Sequence, residues 1–450
     1  MDKPNIILVN CDDLGYGDLG CYGSEDHTTP ALDRMAAEGM RFTDFYMAAA
    51  CCSPSRSAMM TGCYPQRIGL ESGYDVGVLR PGEPIGLSPD EITVADLLKG
   101  QGYATKIIGK WHCGDQPPFL PTNHGFDSYY GIPYSNDMGI SRGYPRMPPL
   151  PLVRDQEVIQ AQPDQASLTE RYTEEAVRFI RENQRGPFFL YFAHMYVHGP
   201  IYAPDRFLQQ SRDGKYGAAV EHIDFVAQVL FHELERLGLD GETLVVFTSD
   251  NGANRRRAPL GSNRPLRGFK GSSWEGGLRV PCIARWPGVV PAGSTCAELA
   301  SAMDFLPTLA RIAGAETPSD RIIDGRDVWS LMIGEPDAQS RHDAFFYYGA
   351  NTMRAMRMGD WKLHMTKPKG TDEPGWGDED VRAGMLFQLR EDAGESVDLS
   401  EAHPEIASEM QERADLCRED LGDQARGVEG KNRRPVGWVD NPKPLISHDP

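Results

Sequence analysis

The sequence lacks the features of a nucleic-acid-binding or membrane protein. Its 65 acidic residues outnumber its 46 basic ones and give a net charge of −19, which disfavours contact with nucleic acid or an anionic membrane surface. No apolar stretch is long enough to span a bilayer. We therefore expect neither nucleic acid nor a membrane as a partner. An acidic protein that binds an anion needs a local group of Lys, Arg and His side chains, so any such group is informative.

The nine cysteines lack the regular spacing of a disulfide framework, and no C-x-x-C pair indicates a zinc site. We expect a mostly reduced protein, and the alternative is a secreted protein with few disulfide bridges. No signal peptide precedes the first predicted strand. The compartment stays open: periplasmic or secreted if such a peptide has been removed, cytoplasmic otherwise. The oligomeric state, a homo-oligomer included, is equally open.

Short apolar runs alternate with amphipathic segments through most of the chain. The runs are typical of strands buried on both faces of a parallel sheet, and the amphipathic segments of helices that cover it. Strands are predicted at 6–10, 103–108, 188–193, 244–248, 280–286, 344–348, 353–358, 361–365 and 386–389. Helices are predicted at 33–38, 54–62, 93–99, 168–183, 220–237, 303–313 and 404–421.

This alternation predicts an α/β fold with a large, mostly parallel sheet sandwiched by helices. We assign residues 1–340 to that domain and residues 341–450 to a small α+β C-terminal domain with an antiparallel sheet. The polar tail from residue 422 is expected to wrap the surface or to be loose. Residues 114–163 are rich in Pro, Gly, Tyr and Asn and predict a long irregular connection that forms a lid or pocket wall.

Polar side chains follow four of the predicted strands. They are Asp12 and Asp13, Lys110 and His112, His198, and Asp250 and Asn251. In such sheets ligands bind outside the carboxyl ends of the strands, so we expect these side chains to share one site. The carboxylate and amide oxygens are hard ligands that suit Ca²⁺ or Mg²⁺ better than Zn²⁺.

A reactive cysteine lies in a second notable stretch, CSPSR at residues 52–56. Ser53 is a good N-cap and Pro54 fits the first position of a helix, which would place Cys52 just outside a helix N-terminus that favours anions. Arg56 and the later Lys270 add positive charge. A divalent cation beside such a cationic group suits transfer of a sulfuryl or phosphoryl group, with Cys52 or a nearby serine as nucleophile.

Several sequences together resemble the type I sulfatases of the alkaline phosphatase superfamily. They are CSPSR at 52–56 with Thr61-Gly62 behind it, the Asp12-Asp13 pair, GKWH at 109–112, SDNG at 249–252 and KGSSWEGG at 270–277. The similarity is strong through about Pro287 and looser beyond. Residues 119–138 are most similar to arylsulfatase A and N-acetylgalactosamine-6-sulfatase, in which Ser135 matches a serine that contacts sulfate. Two segments depart from the family pattern, 195–197 before His198 and LREDAGE at 389–395.

The resemblance implies an alkaline-phosphatase-like fold, a modified amino acid at position 52 and a bound metal ion. Cys52 is expected to be oxidised to formylglycine by a formylglycine-generating enzyme, its partner during maturation, and then hydrated. One Ca²⁺ ion is expected to be held by Asp12, Asp13, the modified Cys52, Asp250 and Asn251. Cys51 is out of frame with the proline and arginine and receives no role.

The resemblance also implies a role for each basic side chain. Lys270 and His198 hold the sulfate, and His198 protonates the leaving alcohol as general acid. His112 deprotonates the second hydroxyl of the aldehyde hydrate, which then expels sulfate. Arg56 and Lys110 stabilise the hydrate and the developing charge.

Two alternatives remain beside hydrolysis of a sulfated saccharide or aryl sulfate. A phosphate or phosphonate ester hydrolase would share the metal ligands, and Lys270 and His198 are the residues that favour a sulfate ester. A non-catalytic anion-binding relative would be expected to have lost the nucleophile or the metal ligands, all of which are present. By resemblance alone, the substrate is a 6-O-sulfated N-acetylgalactosamine or galactose unit, with the leaving-group pocket shaped by residues 114–163 and 195–202.

Overall fold

A computed structural model describes residues 3–74, 77–140, 147–254, 261–365 and 380–446. Within these ranges the strands are β1 (Asn5–Cys11), β2 (Met40–Phe42), β3 (Phe45–Tyr46), β4 (Ile85–Gly86), β5 (Ala104–Lys110), β6 (Ser128–Ile132), β7 (Pro151–Arg154), β8 (Glu157–Ala161), β9 (Phe188–Ala193), β10 (Thr243–Ser249), β11 (Cys282–Arg285), β12 (Ser294–Cys296), β13 (Ala300–Ser301), β14 (Phe345–Gly349), β15 (Thr352–Met358), β16 (Trp361–His364), β17 (Leu386–Gln388) and β18 (Gly437–Trp438). The α-helices are α1 (Pro30–Ala37), α2 (Cys52–Thr61), α3 (Val94–Gly100), α4 (Leu168–Glu182), α5 (Asp205–Gln210), α6 (Gly214–Leu237), α7 (Glu275–Leu278), α8 (Phe305–Ala313), α9 (Trp329–Met332) and α10 (Pro404–Leu421).

Ten strands form one mixed sheet in the order β12-β2-β11-β10-β1-β9-β5-β6-β7-β8. The five central strands, β10, β1, β9, β5 and β6, are mutually parallel. Antiparallel strands extend the sheet on both sides, with β11 beside β10 and β7 beside β6. The fold class expected from the alternation of strands and helices is therefore confirmed.

The side chains of β1 alternate between two buried cores. Ile6 and Leu8 pack with α3 and α8 on one face, whereas Ile7 and Val9 pack with α1, α4 and α6 on the other. A strand buried on both faces reads as a continuous apolar run, which is why the sequence shows no alternation here.

A separate four-stranded antiparallel sheet, in the order β14-β15-β16-β17, lies in the C-terminal region. Helix α10 packs against it through Met410 and Ala414. The sheet and helix agree with the predicted α+β character, while the boundary at residue 340 stays a prediction. The tail is not loose within the described residues, because β18 pairs with β4 and Lys443 N donates to Gln116 Oε1 at 3.1 Å.

Three expectations from the sequence are wrong in detail. Helix α2 begins at Cys52 and its N-cap is Cys51, with extended backbone, because the Ser53 hydroxyl accepts from Leu79 N at 3.0 Å instead of capping the helix. Strand β5 continues to Lys110, so this lysine ends the strand. The 114–163 connection contains β6, β7 and β8, which extend the main sheet; its residues 141–146 lie outside the described ranges.

No helix in the described part of the chain is long and apolar enough to cross a membrane.

Candidate active site

The parallel pairing of β1 with β10 brings four predicted ligands together. Cys11 pairs with Ser249 at the end of both strands, so Asp12 and Asp250 follow at the same edge. Asp13 N donates to Asp250 Oδ1 at 3.2 Å, and Asn251 Nδ2 donates to Asp13 Oδ1 at 2.7 Å. The two sequence motifs, Asp12-Asp13 and Asp250-Asn251, thus form one buried cluster of oxygen atoms.

Helix α2 places Cys52 against that cluster. Its sulfur lies 3.4 Å from Asp12 Oδ1 and 3.6 Å from Asn251 Oδ1. One ligand atom from each of Asp12, Asp13, Cys52 and Asp250 falls within 4.8 Å of the others, and all four residues are buried. Three carboxylates at this spacing repel one another strongly unless cations lie between them.

Arg56 and Lys110 supply two of those cations from the buried side of the cluster. Arg56, one turn into α2, donates from Nε to Asp250 Oδ2 at 2.8 Å and from NH1 to Lys110 O at 2.9 Å. Lys110 Nζ donates to Asp12 Oδ2 and, at 3.3 Å, to Ser135 Oγ. These contacts tie α2, β5 and the segment after β6 to the ends of β1 and β10.

Lys270 and His198 stand on the open side of the site. The Lys270 ammonium lies 2.5 Å from Asp13 Oδ1 and 3.2 Å from Cys52 Sγ. His198 Nε2 is 4.0 Å from Asp13 Oδ2. Each side chain is 14% exposed, whereas the carboxylates beneath are at most 2% exposed. A ligand that approaches the site therefore meets the Lys270 ammonium and the His198 ring first.

The environment sets the charge of each group. Burial lowers the pKa of His112 well below its usual range, with help from the Lys110 charge, so the imidazole is neutral. Burial also raises the pKa of Cys52 well above normal, reinforced by Asp12, and keeps the sulfur protonated. Burial acts against the charge of Lys270, but Asp13 together with the other acidic groups of the cluster outweighs it and raises the pKa of the ammonium well above normal. A protonated thiol is a poor nucleophile.

The aspartates of the cluster are held in unequal states. Burial favours the neutral form of Asp12, yet Lys110 and other cations outweigh it and keep the pKa of Asp12 well below normal. Burial raises the pKa of Asp250, and the negative charge of Asp12 raises it further. A divalent cation would relieve this repulsion, which is the physical reason to expect one here.

Two residues of the site carry no distinctive sequence signal. Asn136 Oδ1 lies 3.2 Å from His198 Nδ1 and, with Ser135 Oγ at 3.3 Å, fixes that edge of the ring. The carbonyl of Leu79 lies 3.0 Å from His112 Nε2. Asn136 could have been found from its place beside Ser135 within residues 119–138, whereas a backbone carbonyl cannot be identified from a sequence.

Comparison with known proteins agrees with this site. Residues 4–315 match the family model "Sulfatase", and residues 340–440 match the "C-terminal region of aryl-sulfatase". N-acetylgalactosamine-6-sulfatase of Sus scrofa is 41% identical over 436 residues, covering 89% of this chain and 83% of that protein. Arylsulfatase A of Bos taurus is 39% identical over 442 residues, covering 90% and 85%.

Among solved structures, "Ps i-CgsB in complex with k-i-k-neocarrahexaose" is similar, with a TM-score of 0.80, 30% identity and 96% coverage of both chains. The family match spans more than half of the chain, and two relatives exceed one third identity over most of their length. The chain therefore belongs to the sulfatase family and is a sulfuric ester hydrolase.

Proposed function

We propose that this protein hydrolyses a sulfate ester on a carbohydrate, with Cys52 converted to formylglycine and one Ca²⁺ ion in the oxygen cluster. The observation that supports this most directly is the position of the Cys52 sulfur. It lies between the carboxylate cluster and the Lys270 ammonium, 3.4 Å from Asp12 Oδ1 and 3.2 Å from Lys270 Nζ. A nucleophile on the Cβ of this residue would face both the metal ligands and the sulfate-binding lysine.

The donor set fits calcium. Asp12, Asp13, Asp250 and Asn251 offer carboxylate and amide oxygens, the hard ligands that Ca²⁺ takes in sets of six to eight. Zinc would favour histidine or thiolate ligands, which are not the pattern here. When bound, the ion would neutralise the carboxylates and polarise an oxygen of the sulfate group.

The surroundings of Cys52 also fit a hydrated aldehyde. Arg56 NH2 and His112 Nδ1 are buried, and neither has a hydrogen-bond partner among the described residues. Buried polar groups are rarely left unpaired. Arg56 NH2 is 3.5 Å from Asp12 Oδ2, and the other oxygen of Asp12 lies 3.4 Å from the Cys52 sulfur. The Leu79 backbone joins His112 to Ser53, the residue after Cys52. A hydrated aldehyde at position 52 would add two hydroxyl groups to this buried region.

Substrate binding falls to Lys270 and His198, whose side chains are partly exposed. Lys270 binds a sulfate oxygen with its ammonium, and His198 contacts the same group. Because Asn136 and Ser135 hold the Nδ1 edge of His198, the Nε2 edge faces the pocket. From there His198 gives its proton to the oxygen of the departing alcohol.

The buried residues act at position 52, on the side of the sulfate group opposite the departing alcohol. His112 is neutral at physiological pH, so it can take a proton from a hydroxyl at position 52. Arg56 and Lys110 stabilise negative charge there, because their own charges are fixed by Asp250 and Asp12 and need no rearrangement. Ser135, within 3.3 Å of Lys110 Nζ, contributes a hydroxyl to the sulfate pocket.

The substrate proposal is a 6-O-sulfated N-acetylgalactosamine or galactose unit. It is supported by the name of the Sus scrofa relative, N-acetylgalactosamine-6-sulfatase, and by the solved structure bound to neocarrahexaose. The segments at 128–138 and 195–202 surround His198 and would contact the sugar.

The test is a comparison of esters with the chain co-expressed with a formylglycine-generating enzyme. We expect sulfate release from 6-O-sulfated saccharides and from nitrophenyl sulfate, with much slower cleavage of nitrophenyl phosphate. A peptide mass spectrum at Cys52 should show the aldehyde. Cys52→Ala should abolish turnover and Cys51→Ala should retain it. Faster cleavage of the phosphate ester, or activity in Cys52→Ala, would overturn the proposal.

A further inference from the structure

A buried ionic cluster lies outside the active site, on the C-terminal sheet. We call Glu275, Lys362, His364 and Glu395 the Glu395 cluster; all four are fully buried. Lys362 Nζ lies 2.9 Å from Glu275 Oε1 and 2.9 Å from Glu395 Oε1, and His364 Nε2 lies 2.9 Å from the same oxygen of Glu395. Glu275 begins helix α7, which precedes β11 of the main sheet, whereas Lys362 lies on β16 of the C-terminal sheet, so the cluster joins the two parts of the fold.

The second oxygen of Glu395 holds the backbone of the segment that carries Lys270. Glu275 N donates to Glu395 Oε2 at 2.7 Å. The preceding Trp274 packs its ring 4.5 Å from that of His364, and the Arg267 guanidinium covers the same indole at 3.7 Å. Arg267 NH1 also donates to Glu395 O at 3.1 Å. Both ends of the 267–275 segment are therefore attached around Glu395.

The middle of that segment reaches the active site. Lys270 N donates to Ala253 O at 3.0 Å and Gly271 N donates to Ala50 O at 2.9 Å, beside Asn251 and Cys51 respectively. Only four residues lie between Lys270 and Glu275. A shift of the anchored end therefore moves the Lys270 ammonium relative to Cys52.

Three hydrogen-bond donors compensate the buried carboxylate of Glu395. One carboxylate accepts from Lys362, His364 and Glu275 N, and removing the charge would leave the Lys362 ammonium balanced by Glu275 alone. Glu275 is already committed to Tyr46 and Tyr347, whose hydroxyls lie 2.5 and 2.7 Å from its oxygens. A buried pair that loses one partner is strongly destabilising, so the local backbone is expected to move until the amide and the ammonium find new acceptors.

We propose that Glu395 is a positioning residue for catalysis: the C-terminal sheet sets the place of the Lys270 ammonium through the bond from Glu275 N to Glu395. The inference rests on the proposed role of Lys270 in sulfate binding. It also gives a function to the LREDAGE segment, in which Glu395 stands at a φ of +51°. Glu395 N donates to Asp392 O at 3.1 Å in this turn, and the Glu395 side chain is buried.

The competing explanation is that the Glu395 cluster only holds the two sheets together. A purely structural cluster would lower stability and, with it, the fraction of folded enzyme. It would not act through Lys270. The two explanations therefore differ in whether the effects of substitutions at 395 and 270 are independent.

A double-mutant cycle on kcat/KM for nitrophenyl sulfate tests this, with activity expressed per folded, aldehyde-bearing molecule. We expect Glu395→Gln to lower kcat/KM roughly 10- to 100-fold, as for other small displacements of a catalytic group. In a Lys270→Ala background the same substitution should cost less than about threefold. A full, multiplicative loss in both backgrounds would overturn the proposal.

Asp423→Asn is the matched control. Asp423 forms a buried pair with Arg418 at 2.9 Å in the same C-terminal region, and its described side-chain hydrogen bonds go to Arg418 and to Ala425 N rather than to the 267–275 segment. It should lower stability and leave kcat/KM per folded molecule unchanged; an equal loss of kcat/KM in this variant would overturn the proposal. If Glu395→Gln does not fold, His364→Gln, which retains an N–H donor, should show the same non-additivity with Lys270→Ala in milder form, and additive effects there would refute it.

The outcome for Lys270→Ala alone separates the two levels of inference. An unchanged kcat/KM in that variant would contradict the proposed function of Lys270 and so the basis of this inference. A large loss in Lys270→Ala combined with additivity at 395 would leave the proposed function standing and refute only the positioning role.

Discussion

Arg56 Nε donates to Asp250 Oδ2 at 2.8 Å, and both side chains are inaccessible to solvent. The same guanidinium reaches Lys110 O with NH1, so one residue joins helix α2 to β10 and β5. A fork of fixed donors can make both bonds at once, which a lysine ammonium cannot do with the same geometry.

Replacing Arg56 should therefore damage stability and activity together. Arg56→Met leaves Asp250 as an uncompensated buried carboxylate and is expected to lower the free energy of unfolding by about 3–5 kcal/mol. Arg56→Lys keeps the charge but loses one of the two bonds, so its loss should be smaller. Urea unfolding monitored by tryptophan fluorescence measures both values. The exposed pair of Arg206 with Glu170 is the control, since Arg206→Met should cost less than about 1 kcal/mol.

Calcium should stabilise the folded chain through Asp12, Asp13, Asp250 and Asn251. Binding at 100 times the dissociation constant adds about 2.7 kcal/mol, which appears as a higher Tm on addition of Ca²⁺ to EDTA-treated protein. Asp250→Asn keeps the shape of the side chain but removes a charge, so it should reduce this rise. Asp320→Asn, at an exposed carboxylate, should not. A Tm that is indifferent to EDTA and Ca²⁺ would contradict the metal assignment.

His124 should make the protein sensitive to acid. Burial lowers its pKa to about 4, and neither ring nitrogen has a partner among the described residues. The unfolded chain binds the proton with a pKa of about 6.5, so stability is full above that pH and declines as the pH falls towards 4.

The His124 ring packs against Trp111, with ring centroids 5.7 Å apart. His124→Phe should remove the loss of stability in acid, because a phenyl ring in this place binds no proton. Relative to the wild type, the variant should gain about 2 kcal/mol in unfolding free energy between pH 7.5 and pH 5. Taking the difference between the two proteins cancels the contribution of every other group. A difference that is constant over this pH range would show that His124 is already paired or charged.

Gly109 should tolerate no side chain. Its φ is +107°, and a Cβ would fall 2.0 Å from Ala193 O on the neighbouring strand β9. Gly109→Ala therefore strains the backbone next to Lys110, at a cost of about 1–3 kcal/mol, and should reduce kcat as that lysine is displaced. Gly186→Ala, where a Cβ meets nothing within 4 Å, should change the unfolding free energy by less than about 0.5 kcal/mol.

Local signals predicted the central elements well. Strand β9 and helix α10 have the predicted bounds. The strand is marked by a continuous apolar run, and the helix by a proline at its start and a glycine after its end, so both are recognised from neighbouring residues alone. The site residues that follow β1, β5, β9 and β10 could also be grouped, since parallel strands bring their carboxyl ends to one edge.

The features that the sequence did not predict depend on contacts between residues far apart in the chain. The short strand β2 and the edge strand β12 depend on the pairing of residues about 250 positions apart. Strands β6 to β8 depend on a sheet edge that local composition does not reveal. Ser53 was misassigned because its hydroxyl finds Leu79 N, 26 residues away. The Glu395 cluster is likewise invisible in sequence, since its members are ordinary charged residues that meet only in the folded chain.

The burial of Cys52 has a consequence for the order of events during synthesis. Its sulfur is enclosed once β1 pairs with β9 and β10, and β10 is completed roughly 200 residues after Cys52 leaves the ribosome. At about 5–20 residues per second this takes roughly 10–40 s. If Cys52 is oxidised as proposed, the modifying enzyme must work within that interval or on a chain held unfolded, so fast folding would compete directly with maturation.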